Sequence, residues 1–300
     1  MASVITIFQL YKNALHHFIT IAKKDIFLSV YLCIAFICQI IYGLDFFDNI
    51  FLALLYPIGT FTFISIAYSL TYLNTDLKTR SYSFDRINLQ LLVIGLIIVF
   101  HFISLSGQLP DGNTFKMITI PVRIFLHDIF SNTGLAKTGN SIVLNSIICV
   151  ILPFLLISLI SWKKSGYYNN MFHGKILFYL FLLYLPIYLF GYKSLNEIIA
   201  EVPYYLFMAA IPEEVLFRGF LQSRLEKLFK NPVNAILLAS LVFGLMHIPI
   251  NIKMYGGLIG IATCIGNNAF GGLFIGYLFF RTRSVLTVII FHLISGIALS

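Results

Sequence analysis

Charged residues are scarce in this chain of 300 residues. They make up 11% of it, with only 12 acidic residues against 20 lysines and arginines, whereas hydrophobic residues make up 59%. A soluble domain of this length cannot enclose so much apolar surface, because too large a share of a small globule is surface. The mean hydropathy of +0.91 therefore predicts an integral membrane protein.

Cysteine is also rare, and none of the four cysteines suggests chemistry. Each lies inside an apolar run, and no two of them have the CxxC spacing of a zinc or redox site. We interpret them as small hydrophobic residues packed between helices, which excludes a disulfide framework and a cysteine zinc site. They are Cys33, Cys38, Cys149 and Cys264.

The formal net charge of +8 raises the question of a nucleic-acid partner. The basic residues stand singly or in pairs between apolar runs, which is typical of loops on the cytoplasmic side of a membrane and not of a phosphate-binding stripe. We therefore expect a lipid bilayer as a partner and no nucleic acid.

Long apolar runs without period-2 alternation predict transmembrane helices, since only helices or closed barrels satisfy their backbone polar groups in lipid. The sequence predicts an all-α, polytopic bundle of about eight to nine spans. The first run has no small-residue cleavage site after it, so we expect a retained anchor. The runs are 26–43, 50–73, 87–105, 141–161, 176–192, 202–221, 233–250, 258–280 and 285–299.

Most lysines and arginines fall in alternate loops, and this bias predicts a cytoplasmic N-terminus. The longest loop, 106–140, includes a segment at 117–130 that could lie as an amphipathic helix at the membrane surface. We expect an N-terminal membrane region, residues 1–170, with four spans and no motif, and a second region, residues 171–300, that carries the functional residues. The expected location is a bacterial cytoplasmic membrane.

The stretch IPEEVLFRGF places Glu213, Glu214 and Arg218 within the sixth run. Each charge at bilayer depth costs about 2.5–3.5 kcal/mol, so these residues must face one another or water. Glu214 and Arg218 are four residues apart on a helix and can pair, whereas Glu213 points about 100° away from Glu214. Pro212 would loosen the helix just before the two acids.

Two histidines in later runs complete the candidate site. His247 follows Phe243 by one helical turn and precedes Pro249, and His292 lies in the last run. Peptide hydrolysis needs a base to activate water, a group to orient that water and a donor for the oxyanion. A glutamate with two histidines in a hydrated pocket could supply all three.

These residues resemble the motifs of the intramembrane CAAX proteases and bacteriocin-processing enzymes, called the CPBP or ABI family. The family signature is E-E-x-x-x-R, F-x-x-x-H and H-x-x-x-N/D on successive helices. The first stands here as EEVLFR, the second as FGLMH, and the third begins at His292. The resemblance covers about residues 175–300, including the stretch 270–292.

The resemblance implies a glutamate-type endopeptidase acting on a membrane-associated protein or peptide. Glu213 would be the base and His247 would help to hold the water. Glu214 and Arg218 would support the site, and His292 would contribute to the oxyanion hole. The sequence departs from the family at Gly296, where Asn or Asp is expected. Ser295, Asn267 and Asn268 are the candidates for the missing donor.

Alternatives stay open at this point. Glu213, Glu214 and Arg218 could form a structural ion-pair cluster, and Gly296 is compatible with a catalytically inactive membrane scaffold. Buried carboxylates are also typical of proton-coupled transporters, although no inverted repeat is visible. We expect no tightly bound cofactor. A divalent metal such as zinc, if present, would be held by Glu213, His247 and His292.

Overall fold

A computed structural model describes residues 2–75, 84–105, 145–160, 173–190, 194–229 and 231–299. Within these residues the chain is helical and contains no strand, which confirms the predicted all-α bundle. The first helices are α1 (Ala2–Lys24), α2 (Ile26–Phe46), α3 (Ile50–Asn74) and α4 (Ile87–Leu105). The next are α5 (Leu152–Ile160), α6 (Gly174–Phe190), α7 (Leu195–Tyr205), α8 (Ile211–Glu214) and α9 (Ser223–Leu228). The last are α10 (Pro232–Met246), α11 (Ile248–Tyr255), α12 (Gly257–Thr263), α13 (Ala269–Thr282) and α14 (Val285–Leu299).

Four π-helical segments join some of these helices without a break in the rod. Two of them flank α8 and make one continuous rod of residues 195–228, while another joins α12 to α13. Single π-helical turns within α-helices are frequently found at functional sites. The segments are Ile147–Ile151, Leu206–Ala210, Val215–Gln222 and Cys264–Asn268.

Three helical rods among the described residues are long and apolar enough to cross a membrane: Ile26–Phe46, Ile50–Asn74 and Gly257–Thr282. They correspond to the first, second and eighth predicted runs. The seventh run is the pair α10 and α11, which is bent by 48° at His247. The third, fourth, fifth and ninth runs correspond to shorter apolar helices.

The sixth predicted run lies inside the rod 195–228, which carries the two acids. A total of about eight to nine spans therefore stays a prediction, as do the boundary near residue 170 and the N-terminal orientation. The predicted surface helix at 117–130 lies outside the described residues.

Helix starts are fixed by side chains that accept from free backbone N–H groups. Asp25 caps α2 and Asn231 caps α10, and the Asn231 amide also donates to the Asp25 carboxylate at 2.7 Å. Ser194 and Glu197 form a reciprocal capping box at the start of α7. The rod that carries the acids and the helix that leads to His247 therefore both begin at defined residues.

One hydrophobic cluster of the bundle lies around the rod 195–228. Leu216, Phe217 and Phe220 from this rod pack with Phe243 of α10 and with isoleucines of α4. The N-terminal helices are part of the same body, because α2 and α3 pack against the rod α12–α13. Large apolar side chains such as Leu159, which is 83% exposed, face outward. Such a surface is stable in lipid and not in water.

Candidate active site

The Glu213 carboxylate lies close to both histidines of the candidate site. Its Oε1 lies 3.9 Å from His247 Nε2, and its Oε2 lies 3.8 Å from His292 Nε2. The Glu213 side chain is 19% exposed, and the two histidine side chains are 21% and 15% exposed. These separations exceed a direct hydrogen bond, and the side chains are not sealed from solvent. A water molecule can therefore bridge Glu213 to a histidine.

Glu214 is fully buried. Its Oε1 accepts a 2.7 Å hydrogen bond from His292 Nδ1, and its Oε2 lies 3.2 Å from Arg218 Nε. Arg218 is also buried, and its Nη2 donates to the carbonyl of Gly272 at 3.0 Å. The predicted pairing of Glu214 with Arg218 is therefore present. It compensates two charges that would otherwise be too costly at this depth.

His247 sits at the break between α10 and α11, where Pro249 follows as the second residue of α11. Its Nδ1 donates to the carbonyl of Phe243 at 2.9 Å. This bond fixes the ring and leaves Nε2 directed to Glu213 as an acceptor. The helix break thus places a histidine acceptor beside the one carboxylate of the pair that is partly exposed.

Phe243 is a packing residue that several site groups share. The Arg218 guanidinium lies over its ring at 4.6 Å, and the rings of His247 and His292 lie 4.8 and 6.2 Å from it. Close packing here requires Gly272, because a Cβ at that position would lie 2.9 Å from a Phe243 ring carbon. The FxxxH pattern is thus explained by contact as well as by helical spacing.

The two acids lie in a stretch of altered helix geometry. The segment Leu206–Ala210 is π-helical directly before α8, and Val215–Gln222 is π-helical directly after it. Pro212 has no N–H to give to the preceding turn, which favours such a local change in hydrogen bonding. The expectation that the helix is altered near Pro212 is in accord with this geometry.

Gly296 follows His292 by one turn of α14 and packs against Tyr205 of α7. A Cβ at Gly296 would lie 3.2 Å from Tyr205 Cδ1 and 3.9 Å from His292 Cδ2. The nearby Ser295 hydroxyl donates to the carbonyl of His292 at 3.1 Å. The position where the family signature has Asn or Asp is therefore packed against an aromatic ring.

The structure shows hydrogen bonds between helices for the two asparagines of the eighth run. Asn267 Oδ1 accepts from the Tyr56 hydroxyl at 3.2 Å, and Asn268 Oδ1 accepts from Asn251 Nδ2 at 2.8 Å. These contacts support the interpretation that the asparagines join helices. They do not place either amide at an oxyanion.

Two residues near the site were missed by sequence reasoning. His101 of α4 is 6% exposed and interacts electrostatically with His247, and buried Cys149 interacts in the same way with Glu213. The Nδ1 atom of His101 is buried and has no hydrogen-bond partner among the described residues. The presence of His101 within an apolar run was the sequence signal for a polar site there. No spacing related His101 to the motifs in the second half of the chain.

A divalent metal held by Glu213, His247 and His292 was the alternative left open by the sequence. Among the residues that the structure describes, no group of three or more His, Cys, Asp or Glu side chains is placed to hold a metal ion. The Nδ1 atoms of both histidines are hydrogen-bonded to protein oxygens. Such bonds are also typical of histidines that bind a metal through Nε2, so the expectation of no tightly bound cofactor stays a prediction.

Comparison with known families supports the motif analysis. Residues 195–297 match the family model described as type II CAAX prenyl endopeptidase Rce1-like. Comparison with curated proteins and with solved structures gives no match. The matched segment begins with α7, ends within α14 and includes all five candidate site residues. Residues 195–297 therefore form an Rce1-like domain of the CAAX protease family, as the resemblance of the motifs predicted.

Proposed function

We propose that the protein is an intramembrane endopeptidase that uses Glu213 and His247 to activate water. The family match supports a membrane-embedded endopeptidase at the level of the domain. The observation that carries the finer proposal is the position of Glu213, whose two carboxylate oxygens face two histidine nitrogens at 3.9 and 3.8 Å. A partly exposed carboxylate flanked by two imidazoles has the composition of a site for general acid–base chemistry.

The attacking water lies between Glu213 and His247. Because His247 Nδ1 donates to Phe243, its Nε2 accepts one proton of the water, and Glu213 accepts the other. Both protons are then held, and a lone pair of the water oxygen is free to attack the scissile carbonyl carbon. Glu213 takes a proton as the new C–O bond forms.

His292 faces the developing oxyanion. Its Nδ1 donates to the buried Glu214, so Nε2 donates to the oxyanion when the ring carries both protons. The Glu214 carboxylate compensates the resulting positive charge, and Arg218 holds that carboxylate in place. When the tetrahedral intermediate collapses, the C–N bond breaks. The protonated Glu213 then gives its proton to the leaving amine, so that a carboxylic acid and an amine form, and the acid loses its remaining proton to solvent.

The substrate of this proposal is a membrane-associated protein or peptide. A site formed by residues of apolar helices receives a substrate from the bilayer more readily than from water. We propose a bacterial cytoplasmic membrane as the location. Lysine and arginine concentrate in alternate loops, which supports a cytoplasmic N-terminus. The family description makes a prenylated C-terminal peptide the first probe.

The test uses the purified full chain in proteoliposomes with a quenched fluorescent peptide that ends in a farnesylated CAAX sequence. A peptide without the prenyl group is the second probe. A further test compares two cultures of cells, one that expresses the unmodified chain and one that expresses Glu213→Gln. New protein termini that appear only with the unmodified chain would identify cleaved substrates. We expect cleavage by the unmodified chain, and a loss of about 10²–10⁴-fold with Glu213→Gln or His247→Leu. Cleavage in H₂¹⁸O should place ¹⁸O in the new carboxyl group.

Normal processing by both variants would reject this mechanism. If the unmodified chain cleaves neither peptide and creates no new termini, a catalytically inactive scaffold is the better description, and the packed Gly296 would be its cause. Proton-coupled flux in the same vesicles, lost with Glu213→Gln, would instead indicate a transporter.

A further inference from the structure

His247 occupies the break between α10 and α11, and both sides of this break are anchored to the same short segment. That segment is the π-helical turn Cys264–Asn268, named here the 264–268 turn. Before the break, Gly244 lies so close that an added Cβ would stand 2.5 Å from the Cys264 carbonyl oxygen. After it, Asn251 Nδ2 donates to Asn268 Oδ1 at 2.8 Å. The position of His247 therefore depends on where the 264–268 turn lies.

The opposite side of the 264–268 turn is bound by the N-terminal helices. From α2, the Tyr31 hydroxyl donates to the carbonyl of Ile265 at 3.1 Å, and Gln39 Nε2 donates to the carbonyl of Gly266 at 2.7 Å. From α3, the Tyr56 hydroxyl donates to Asn267 at 3.2 Å. Three consecutive residues of the turn are thus each hydrogen-bonded to α2 or α3.

Gln39 is the central residue of this contact. It is fully buried in the middle of an apolar span, and its other amide atom, Oε1, accepts from the Thr60 hydroxyl of α3 at 2.9 Å. The Gly266 carbonyl can only accept, so it fixes the Nε2 end of the amide toward the turn. The backbones also approach closely, since a Cβ on Gly266 would lie 3.0 Å from Cys38 Cβ and from the Gln39 backbone nitrogen.

We propose that α2 and α3 hold His247 in its catalytic position through the 264–268 turn, with Gln39 as the positioning residue. This inference rests on the proposed function and assigns a role to helices outside the matched segment 195–297. It requires a continuous path from Gln39 to the turn, from the turn to Gly244 and Asn251, and from these to the histidine. Each step of this path is a contact between named groups.

The geometry of the reaction explains why the contact would matter. His247 Nε2 and Glu213 Oε1, 3.9 Å apart, must hold one water between them. A misplacement of about 1 Å in such a site can lower the rate about 10²-fold. Buried, fully satisfied polar contacts are well suited to define one position, because any shift leaves a donor or acceptor without a partner.

Gln39→Leu removes both hydrogen bonds and keeps a side chain of similar size. The matched control is Gln222→Leu, because Gln222 is equally buried and donates to the carbonyl of Gly276, also in the rod α12–α13, at 2.8 Å. Gly276 lies ten residues beyond Gly266 and away from the break at His247. Gln222 also donates to Glu226 at 2.8 Å, and its Oε1 has no hydrogen-bond partner among the described residues. The stability of each variant is therefore measured in detergent unfolding curves, and kcat is compared at a temperature at which both are folded.

The kinetic readout separates a positioning role from a structural one. Gln39→Leu should lower kcat of peptide cleavage in proteoliposomes about 10-fold and change KM less than about 2-fold. Gln222→Leu should leave kcat within about 2-fold of the unmodified chain. Thr60→Val should lower kcat in the same direction but less, and the double variant Gln39→Leu/Thr60→Val should be no slower than Gln39→Leu alone. Equal kcat for Gln39→Leu and Gln222→Leu would overturn the proposal.

A second measurement does not depend on activity, so that failure of the proposed function and failure of this inference can be told apart. Selective ¹⁵N labelling of histidine gives a ring signal for His247, assigned by its absence in His247→Leu. Gln39→Leu should shift that signal and Gln222→Leu should not. An unshifted signal with Gln39→Leu rejects the positioning role, whether or not the unmodified chain cleaves the peptides.

Discussion

The N-terminal helices and the rod 195–228 bury different kinds of polar group. In α2 to α4 the polar side chains with no exposed surface are neutral, namely Gln39, Thr71 and Gln90. The rod 195–228 also buries neutral Gln222 and Ser223, but in addition it buries the charged Glu214, Arg218 and Arg224. Charges at such depth need partners and are typical of functional sites, whereas amides and hydroxyls can join helices at lower cost. The comparison indicates that the rod 195–228 would carry out the chemistry and that the N-terminal helices would hold the catalytic residues in position.

Breaking the charged pair should have the largest effect. Arg218→Met leaves the Glu214 carboxylate buried with His292 as its remaining close partner and removes the donor to Gly272. We expect a loss of about 3–5 kcal/mol of stability, because one partner of a buried pair is left uncompensated. Detergent unfolding followed by circular dichroism would measure it.

The control for this prediction removes both charges. Glu214→Gln/Arg218→Met should recover part of the stability lost by Arg218→Met, since no buried charge remains unpaired. A double variant less stable than the sum of the two single variants would show that the pair is not the source of the cost.

The close approach of α10 to the 264–268 turn, which anchors the break at His247, can be broken at Gly244. Alanine there would place a Cβ 2.5 Å from the Cys264 carbonyl oxygen and 2.8 Å from the Ala269 backbone nitrogen, so backbone atoms must move. We expect a loss of about 1–3 kcal/mol and a lower kcat, because His247 lies one turn further on. Gly271→Ala is the matched control, since its Cβ would meet nothing within 4 Å. A Gly244→Ala variant as stable and active as Gly271→Ala would contradict the close approach.

Gly296 offers a way to sharpen the comparison within the catalytic region. Tyr205→Ala makes room beside Gly296, and Gly296→Asn in that background supplies a side-chain donor one turn from His292. We expect kcat to rise about 10-fold above Tyr205→Ala alone, less than the full value of an oxyanion donor because the position is not optimised. Gly296→Asn without Tyr205→Ala should gain less, because its Cβ would lie 3.2 Å from the ring. Equal kcat values for Tyr205→Ala with and without Gly296→Asn would show that the missing donor does not limit the rate.

Helix positions and the charged part of the site were predictable from the sequence. The third and ninth runs coincide with α4 and α14, because apolar length alone defines a helix in lipid. The convergence of Glu213, His247 and His292 followed from residue types that are costly in a membrane unless they meet. The resemblance to a known family supplied the order of the motifs.

The hydrogen bonds between uncharged groups of different helices could not be predicted from the sequence. Gln39 interacts with a residue more than two hundred positions away, at Gly266, and no local spacing indicates such a contact. The bend at His247 was indicated by Pro249, but its anchors on the 264–268 turn depend on close backbone approach at glycines. The proximity of His101 to His247 likewise depends on how α4 packs, which apolar composition does not specify.

His101 gives the prediction with the smallest expected effect. Its Nδ1 is buried without a hydrogen-bond partner among the described residues, which is unfavourable for a polar atom. Phenylalanine has a ring of similar size and no nitrogen, so His101→Phe should gain about 1 kcal/mol of stability in the unfolding assay. His16→Phe, at an exposed position of α1, should leave stability unchanged and controls for the change of residue type. A loss of stability with His101→Phe would contradict this expectation and show that the site accommodates a polar ring better than an apolar one.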